Sequence, residues 1–325
     1  MTFQLDSETV AFFTDLFDEA AAIALPYSRL ARKGKLPVID KGGKKNGDLV
    51  TPADSEIQAM ISDRVRARYP GIDIVGEEVL GDENNVISLT YPRLKFIVDP
   101  IDGTRSFAQG QRYWSTCNFA LQVQEREDAP WETVLSGAYA PQLDMAALAD
   151  NEKVLVRNNL LLGDTRFHPL SDLHDELSEP QPVLLDAKAL KGTYLDLRLA
   201  NNDAAEKMMW EELKEKGFTV RNAGSMIVTM LEMLIPQTTK QAIVAGNFGG
   251  EWDWRGGEHF LKTAGFKTGL ITIPDGGKDG QEYRAFAAAS SPELFNHLVA
   301  VMDRNIRKSK TQETTEAVMT RVFGR

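Results

Sequence analysis

The stretch Leu94–Phe107, L-K-F-I-V-D-P-I-D-G-T-R-S-F, contains the sequence feature that decides the fold. It begins as an apolar run with a β-branched centre at residues 96–98, which predicts a buried strand. Pro100 has no amide hydrogen and a fixed φ, so we predict that the strand ends at Asp99. The turn that follows adds a second carboxylate, Asp102. Two acids at the end of a strand occupy a common position for ligand chemistry in α/β folds.

The two aspartates of this turn predict a cation site. Unpaired carboxylates that are crowded together repel each other, so such a pair needs a shared proton or a cation. Mg²⁺ takes oxygen ligands and leaves positions open for phosphate and water. The stretch therefore indicates a site for a hard divalent ion, with magnesium as the natural occupant.

Composition limits the class of protein. The chain has 325 residues, enough for one large domain or two packed ones. The net charge of −10 argues against nucleic acid or an anionic membrane as a partner. The single cysteine, Cys117, excludes an intramolecular disulfide and fits a reducing compartment. The first ten residues lack the pattern of a signal peptide, and no apolar run approaches the roughly 20 residues of a membrane span. We predict a soluble cytoplasmic protein.

Upstream of the central stretch, two acidic motifs have ordinary local explanations. Thr51, Pro52 and Asp54 read as an N-cap, a proline at the first helical position and a capping-box acid of a helix that ends near residue 69. Adjacent acids such as Glu77 and Glu78 are usually solvated surface charges. Here they follow the apolar strand predicted at 72–75, much as Asp99 follows its own strand, and the two ends converge if the strands are neighbours.

Residues 41–47, K-G-G-K-K-N-G, predict a mobile loop, either a solvated turn or a basic flap over an anionic substrate, and the segment alone favours the turn.

A compositional change with prolines near residue 182 suggests a division into an N-terminal α+β half (1–182), a C-terminal α/β half (183–305) and a charged, disordered tail (306–325). Other elements predicted from periodicity are helices at 7–29, 204–216, 226–234 and 292–302, and strands at 116–123, 133–140, 144–149, 183–186, 218–220, 241–245, 268–273 and 285–289.

Two downstream motifs are weak on their own. Residues 221–225, R-N-A-G-S, place a glycine-serine pair at a helix start, where free amide hydrogens can bind an anion but where such pairs are also common N-caps. Asp253 lies in the first turn of a helix, where an aspartate is often only a cap. The four histidines are scattered along the chain, and we interpret them as surface or structural residues.

The motifs taken together are more specific. G-E-E, then V-D-P-I-D-G-T about twenty residues later, then W-D far downstream, resemble the inositol monophosphatase family of magnesium-dependent, lithium-sensitive phosphatases. The segment D-L-V-T-P-A-D at 48–54 resembles the first motif of that family, so the resemblance extends from about residue 48 to residue 265. It implies an α/β fold with α-β-α-β-α layers, of the inositol monophosphatase/fructose-1,6-bisphosphatase type, and a homodimer.

The resemblance also implies roles for individual residues. Two or three Mg²⁺ ions are expected to be bound by Glu77, Asp99, the carbonyl of Ile101, Asp102 and Asp253. Thr104 and Asp54 are expected to position and deprotonate the attacking water, and the amides of Gly103 and Thr104 to hold phosphate oxygens. The non-phosphate part of the substrate is expected near Arg221, Gly224 and Ser225.

The implied reaction is hydrolysis of a small phosphate monoester, of the inositol monophosphate or histidinol phosphate class. In inositol-specific members an acid seven residues before the W-D aspartate contacts sugar hydroxyls, whereas this chain has Gly246 there, beside Asn247. T-R-S-F after the aspartates is closer to members that act on histidinol phosphate. Alternatives are a 3′(2′),5′-bisphosphate nucleotidase of the same family and a non-catalytic polyol-phosphate-binding relative. The aspartates are one residue too far apart for the D-x-D-x-T motif of haloacid-dehalogenase-type phosphatases.

Overall fold

The protein, studied as a computed structural model, is described over residues 3–41, 49–78, 90–176, 194–199, 203–221, 224–235, 240–246, 250–274 and 282–323. It divides into two compact units. Unit 1 takes its described residues from 1–178, 223–235 and 249–264, and unit 2 takes them from 179–222, 236–248 and 265–325. Ser225 and Asp253 therefore belong to the same unit as Asp99, whereas the linear division at residue 182 assigned them to the second half. The predicted loop beyond Lys41 and the predicted strand at 183–186 lie outside the described residues.

Helices and strands are numbered in chain order. The helices are α1 (Ser7–Arg32), α2 (Pro52–Arg68), α3 (Thr104–Ala108), α4 (Asn159–Leu162), α5 (Leu170–Glu176), α6 (Asp203–Glu215), α7 (Met226–Met233), α8 (Arg255–Thr263) and α9 (Pro292–Phe323), with a 3₁₀ turn at Glu251–Asp253. The strands are β1 (Ile39–Asp40), β2 (Leu49–Val50), β3 (Asp73–Gly76), β4 (Arg93–Asp102), β5 (Ser115–Gln124), β6 (Glu132–Ala140), β7 (Met145–Ala149), β8 (Val154–Asn158), β9 (His168–Pro169), β10 (Tyr194–Leu199), β11 (Thr219–Arg221), β12 (Lys240–Gly246), β13 (Lys267–Ile273) and β14 (Tyr283–Ala289).

Unit 1 is built on a sheet of strand order β3-β4-β5-β6-β7-β8-β9. β3 runs parallel to β4, and each later neighbour is antiparallel, which confirms the predicted meander. Helices α1 and α2 pack on this sheet, where the ring of Phe119 stacks on Phe13 at 4.3 Å and on Phe96 at 5.1 Å. Helix α1 begins where the side chain of Asp6 accepts a hydrogen bond from the amide of Thr9 at 2.7 Å.

The prediction that β4 ends at Asp99 is wrong, because the strand continues through Pro100 to Asp102. β3 pairs with β4 only as far as Val98, so Pro100 has β5 as its single neighbouring strand. A proline is tolerated at such an edge position because no second strand needs its missing amide hydrogen. Its carbonyl accepts a hydrogen bond from the hydroxyl of Thr116 at 2.8 Å. The two aspartates therefore lie on the last residues of a strand.

Unit 2 contains a sheet of order β11-β10-β12-β14-β13, in which β14 runs antiparallel to both of its neighbours. Helices α6 and α9 pack together, and Asn305 donates a hydrogen bond to Glu212 at 2.9 Å. The predicted disordered tail from residue 306 is wrong over 306–323, because α9 extends to Phe323. Ile306 and Ser309 are buried, so the helix still has a packed face beyond the predicted end. Among the described residues, no helix is long and apolar enough to cross a membrane.

Candidate functional site

Two acid-bearing strand ends meet at one edge of the unit 1 sheet. β3 and β4 are parallel neighbours with Gly76 opposite Val98, and the amide of Glu77 donates to the carbonyl of Val98 at 3.2 Å. The sequence predicts that the acids after the two strands converge if the strands are neighbours, and β3 and β4 are neighbours. The carboxyl groups of Glu77 and Asp99 lie close enough for each to affect the pKa of the other.

A third strand-end acid and a distant aspartate complete the cluster. Carboxylate oxygens of Asp99, Asp102 and Asp253 all lie within 4.8 Å of one another. Asp99 and Asp102 are buried, and Asp253 is partly buried at the end of the 3₁₀ turn. The structure thus brings three of the four predicted carboxylate ligands within 4.8 Å of one another, and Glu77 interacts with Asp99 beside them.

The electrostatics of this cluster favour a cation. Burial, followed by the negative charge of Asp253, raises the pKa of Glu77 to about 8. Burial and the neighbouring charge of Glu77 raise the pKa of Asp99 well above its usual value. One carboxylate oxygen of Asp99, Oδ1, is buried without a hydrogen-bond partner among the described residues. Hard oxygen donors at this spacing, one of them unpaired, fit a hard divalent ion.

The turn after Asp102 is fixed by a glycine and a threonine. Gly103 has φ +86°, in the region that disfavours side chains, and a Cβ there would lie 3.0 Å from the carbonyl oxygen of Tyr113. Thr104 begins α3, and its hydroxyl donates to the carbonyl of Ile101 at 2.9 Å. The hydroxyl oxygen of Thr104 and the carbonyl oxygen of Ile101, both predicted site atoms, are therefore direct neighbours.

Asp54 has one oxygen in the helix cap and one near Thr104. The amide and the hydroxyl of Thr51 donate to Asp54 Oδ2 at 2.8 and 2.6 Å, as a capping box requires. Asp54 Oδ1 lies 3.4 Å from the hydroxyl oxygen of Thr104. Asp54 is fully buried, and this burial raises its pKa to about 6.

The predicted substrate residues differ in position. The hydroxyl of Ser225 donates to Asp102 Oδ2, and the amide of Ile227 donates to the same oxygen at 2.9 Å. Gly224 has φ +82°, and a Cβ there would lie 2.6 Å from the hydroxyl oxygen of Ser106. Arg221 is the last residue of β11 in unit 2, and its side chain lies outside what the structure describes.

Sequence reasoning missed Asn118, a polar residue within the strand predicted at 116–123. It is opposite Asp99 in the β4–β5 ladder and fully buried. Its side-chain amide donates to the carbonyl of Trp252 at 2.6 Å, which ties β5 to the turn that presents Asp253. An amide side chain directly before the apolar residues 119–121 was the available signal.

Among the histidines, His259 is buried and lies between Ser136 Oγ at 2.8 Å and Asn151 Oδ1 at 3.0 Å. Burial lowers the pKa of His259 to about 4, so the ring is neutral at ordinary pH. These contacts join α8 to β6 and to the turn after β7, which is a structural role.

Fold and site together define a layered α/β protein with a carboxylate cluster at its strand ends. A solved structure with the same fold is the Thermotoga maritima IMPase, with a TM-score of 0.63 and 18% identity over 93% of this chain and 99% of that one. Among curated proteins, inositol-1-monophosphatase of Bacillus subtilis is 38% identical over 76 residues, and inositol monophosphatase 2 of Saccharomyces cerevisiae is 42% identical over 74 residues. The aligned segments cover 23% and 22% of this chain and about a quarter of those relatives, 25% and 24% of their length.

Residues 8–153 match the inositol monophosphatase family. This match covers somewhat less than half of the chain, so it shows that the N-terminal part of the chain is similar to that family. The matched segment contains Asp54, Glu77, Asp99 and Asp102, whereas Asp253 lies beyond it and joins the cluster only through the fold.

Proposed function

We propose that this protein is a Mg²⁺-dependent phosphomonoesterase that hydrolyses a small phosphorylated metabolite by direct attack of water. The observation that carries the proposal is the cluster of Asp99, Asp102 and Asp253, whose carboxylate oxygens lie within 4.8 Å of one another beside Glu77. Four acids held this close need positive charge to remain ionised. The proposed ligands are these four side chains and the carbonyl of Ile101.

Mg²⁺ bound here would supply a Lewis acid for the phosphate oxygens and lower the pKa of a coordinated water. Phosphate-monoester hydrolysis is among the slowest uncatalysed reactions, so a large reduction of the barrier is required. The amides of Gly103 and Thr104, on the turn that Gly103 makes possible, are the proposed donors to the phosphate.

The proposed proton path uses Thr104 and Asp54. The attacking water donates its proton to the hydroxyl oxygen of Thr104, while the threonine hydrogen turns from the carbonyl of Ile101 to Asp54 Oδ1. The water oxygen bonds to phosphorus, the bond from phosphorus to the ester oxygen breaks, and the leaving oxygen takes a proton from solvent. A pKa of about 6 at Asp54 leaves it mostly ionised at neutral pH, with enough basicity to accept the proton.

The substrate class follows less directly. A Cβ at position 246 would collide with the buried hydroxyl of Tyr283, so the phenol occupies the space that an acidic side chain would need. The two curated relatives described above are inositol monophosphatases by name. We propose that residue 246 of this chain does not hydrogen-bond to the hydroxyls of an inositol ring. This difference favours a substrate of the histidinol phosphate class. Arg221, Gly224 and Ser225 remain proposed contacts for the non-phosphate part.

The test is a panel of phosphate esters assayed with Mg²⁺ and with a chelator. It includes inositol monophosphates, histidinol phosphate, 3′-phosphoadenosine 5′-phosphate and fructose 1,6-bisphosphate. We expect Mg²⁺-dependent turnover that the chelator abolishes, and inhibition by Li⁺. Preference for the bisphosphate nucleotide would identify the nucleotidase alternative. Binding without turnover of any ester would support the non-catalytic alternative and refute the proposal.

We also propose a cytoplasmic homodimer. Sedimentation of the purified chain tests the assembly, and a monomer at micromolar concentration would contradict it. Fractionation of cells that produce the protein tests the compartment.

A further inference from the structure

Gln58 lies one helical turn after Asp54 on α2 and is 3% exposed. Its side-chain amide meets both backbone polar groups of Glu78, a residue twenty positions away. Oε1 accepts from the amide of Glu78 at 2.9 Å, and Nε2 donates to the carbonyl of Glu78. One side chain therefore pairs with a peptide as a neighbouring strand would.

This pairing supplies hydrogen-bond partners to the buried backbone groups of Glu78. β3 is the first strand of its sheet, so a single strand, β4, borders it within the described sheet. Glu78 is 7% exposed, and buried peptide groups require hydrogen-bond partners. A Cβ at Gly76 would collide with the amide group of Gln58, so the strand end and the helix are matched in shape as well.

From this geometry we propose that Gln58 is a positioning residue that fixes Glu77 beside Asp99. The amide of Glu77 donates a hydrogen bond to the carbonyl of Val98. The next residue, Glu78, is held by the two hydrogen bonds between its backbone and the side chain of Gln58. Because residues 54 and 58 lie on one face of the helix, α2 also sets the distance between Asp54 and Glu77. The inference rests on the proposed function, since it assigns Gln58 to the same metal site.

The test compares Gln58→Met with Gln122→Met. Methionine keeps the length of glutamine and removes both hydrogen bonds. Gln122 is equally buried, at 2%, but its amide contacts Thr133, at 3.3 Å, and no acid of the cluster. Both variants should lose stability in thermal melts. Only Gln58→Met should weaken Mg²⁺ binding by about tenfold or more in calorimetry, as outer-shell changes typically do. Its half-saturating Mg²⁺ concentration for turnover should rise in parallel, with kcat at saturating Mg²⁺ within a few-fold of wild type.

The outcomes separate this inference from the proposed function. Wild type that neither binds Mg²⁺ nor hydrolyses esters would refute the proposed function. Wild type that does both, together with Gln58→Met that binds Mg²⁺ as tightly as Gln122→Met, would overturn the positioning role alone. If Gln58→Met does not fold, Gly76→Ala decides, because its added methyl displaces the same amide. Unchanged Mg²⁺ affinity in that variant would also overturn the proposal.

Discussion

Replacing Asp99 with asparagine should have opposite effects on the stability of the metal-free protein and on its response to Mg²⁺. Asp99 is 1% exposed and lies within 4.8 Å, oxygen to oxygen, of both Asp102 and Asp253. At an effective dielectric constant near 20, two unit charges at that distance repel by about 3 kcal/mol. Asparagine removes this repulsion from two pairs and keeps the shape of the side chain.

Protonation limits the gain, because the raised pKa of Asp99 already relieves part of the repulsion at neutral pH. We therefore expect chelator-treated Asp99→Asn to be more stable than wild type by at least about 1 kcal/mol at pH 8. For a chain of this size, that corresponds to about 2 °C or more in melting temperature. The same variant should lose turnover and most of the stabilisation that Mg²⁺ gives to wild type.

The assay is a thermal melt with chelator and with a Mg²⁺ titration, beside a matched control, Asp150→Asn. Asp150 is 2% exposed, but it accepts hydrogen bonds from the amides of Leu5, Glu152 and Lys153. Its replacement should destabilise the protein by about 1–3 kcal/mol with or without metal. A lower melting temperature for metal-free Asp99→Asn, or a normal Mg²⁺ response, would refute the cation-site reasoning.

Three further changes have expected outcomes. Asp54→Asn should gain stability relative to metal-free wild type as pH rises from 4 to 7, by up to about 3 kcal/mol. The reason is that the pKa of Asp54 is raised in the folded state, so wild type loses stability as Asp54 ionises. A pH-independent difference between the two proteins in denaturant melts would contradict this. Ser225→Ala should lower the free energy of unfolding by about 1 kcal/mol, because the hydrogen bond from the amide of Val228 that caps α7 is lost. It should also weaken Mg²⁺ binding. In calorimetry, Ser225→Thr should keep both the stability and the Mg²⁺ affinity of wild type. Gly246→Asp should destabilise strongly unless Tyr283→Ala makes room, and additive melting shifts would show that the two residues do not compete for space.

The sequence predicted the local elements well where a single periodicity dominated. The helices near residues 7–29 and 226–234 and the meander from β5 to β7 appear within a few residues of the prediction. The break at Pro100 was misjudged because the rule for proline depends on how many neighbours a strand has, and that number is a property of the sheet. The end of α9 was missed because charged residues beyond 304 concealed the buried positions 306 and 309.

Site geometry could be predicted only as far as motifs carried it. Glu77 follows β3 and Asp99 lies near the end of β4, so their convergence needed one assumption, that β3 and β4 are neighbours. The hydrogen bond from Asn118 to Trp252 spans 134 residues, and no local pattern indicates such a partner. The reason for a glycine at 246 was equally hidden, because Tyr283 reaches it from another strand of the unit 2 sheet.

Asp54 shows why a satisfactory local explanation does not exclude a catalytic role. A carboxylate has two oxygens, and the capping box uses only Oδ2. That bond orients the group and, by lowering the pKa, opposes the larger effect of burial. The second oxygen is thereby held toward Thr104. Burial disfavours the ionised carboxylate, and the hydrogen bonds of the helix cap partly offset this effect. A free aspartate in the same buried position would have to be fixed by other contacts and would protonate more readily. The cap is therefore a physical condition for the proposed base, and the two interpretations of Asp54 support each other.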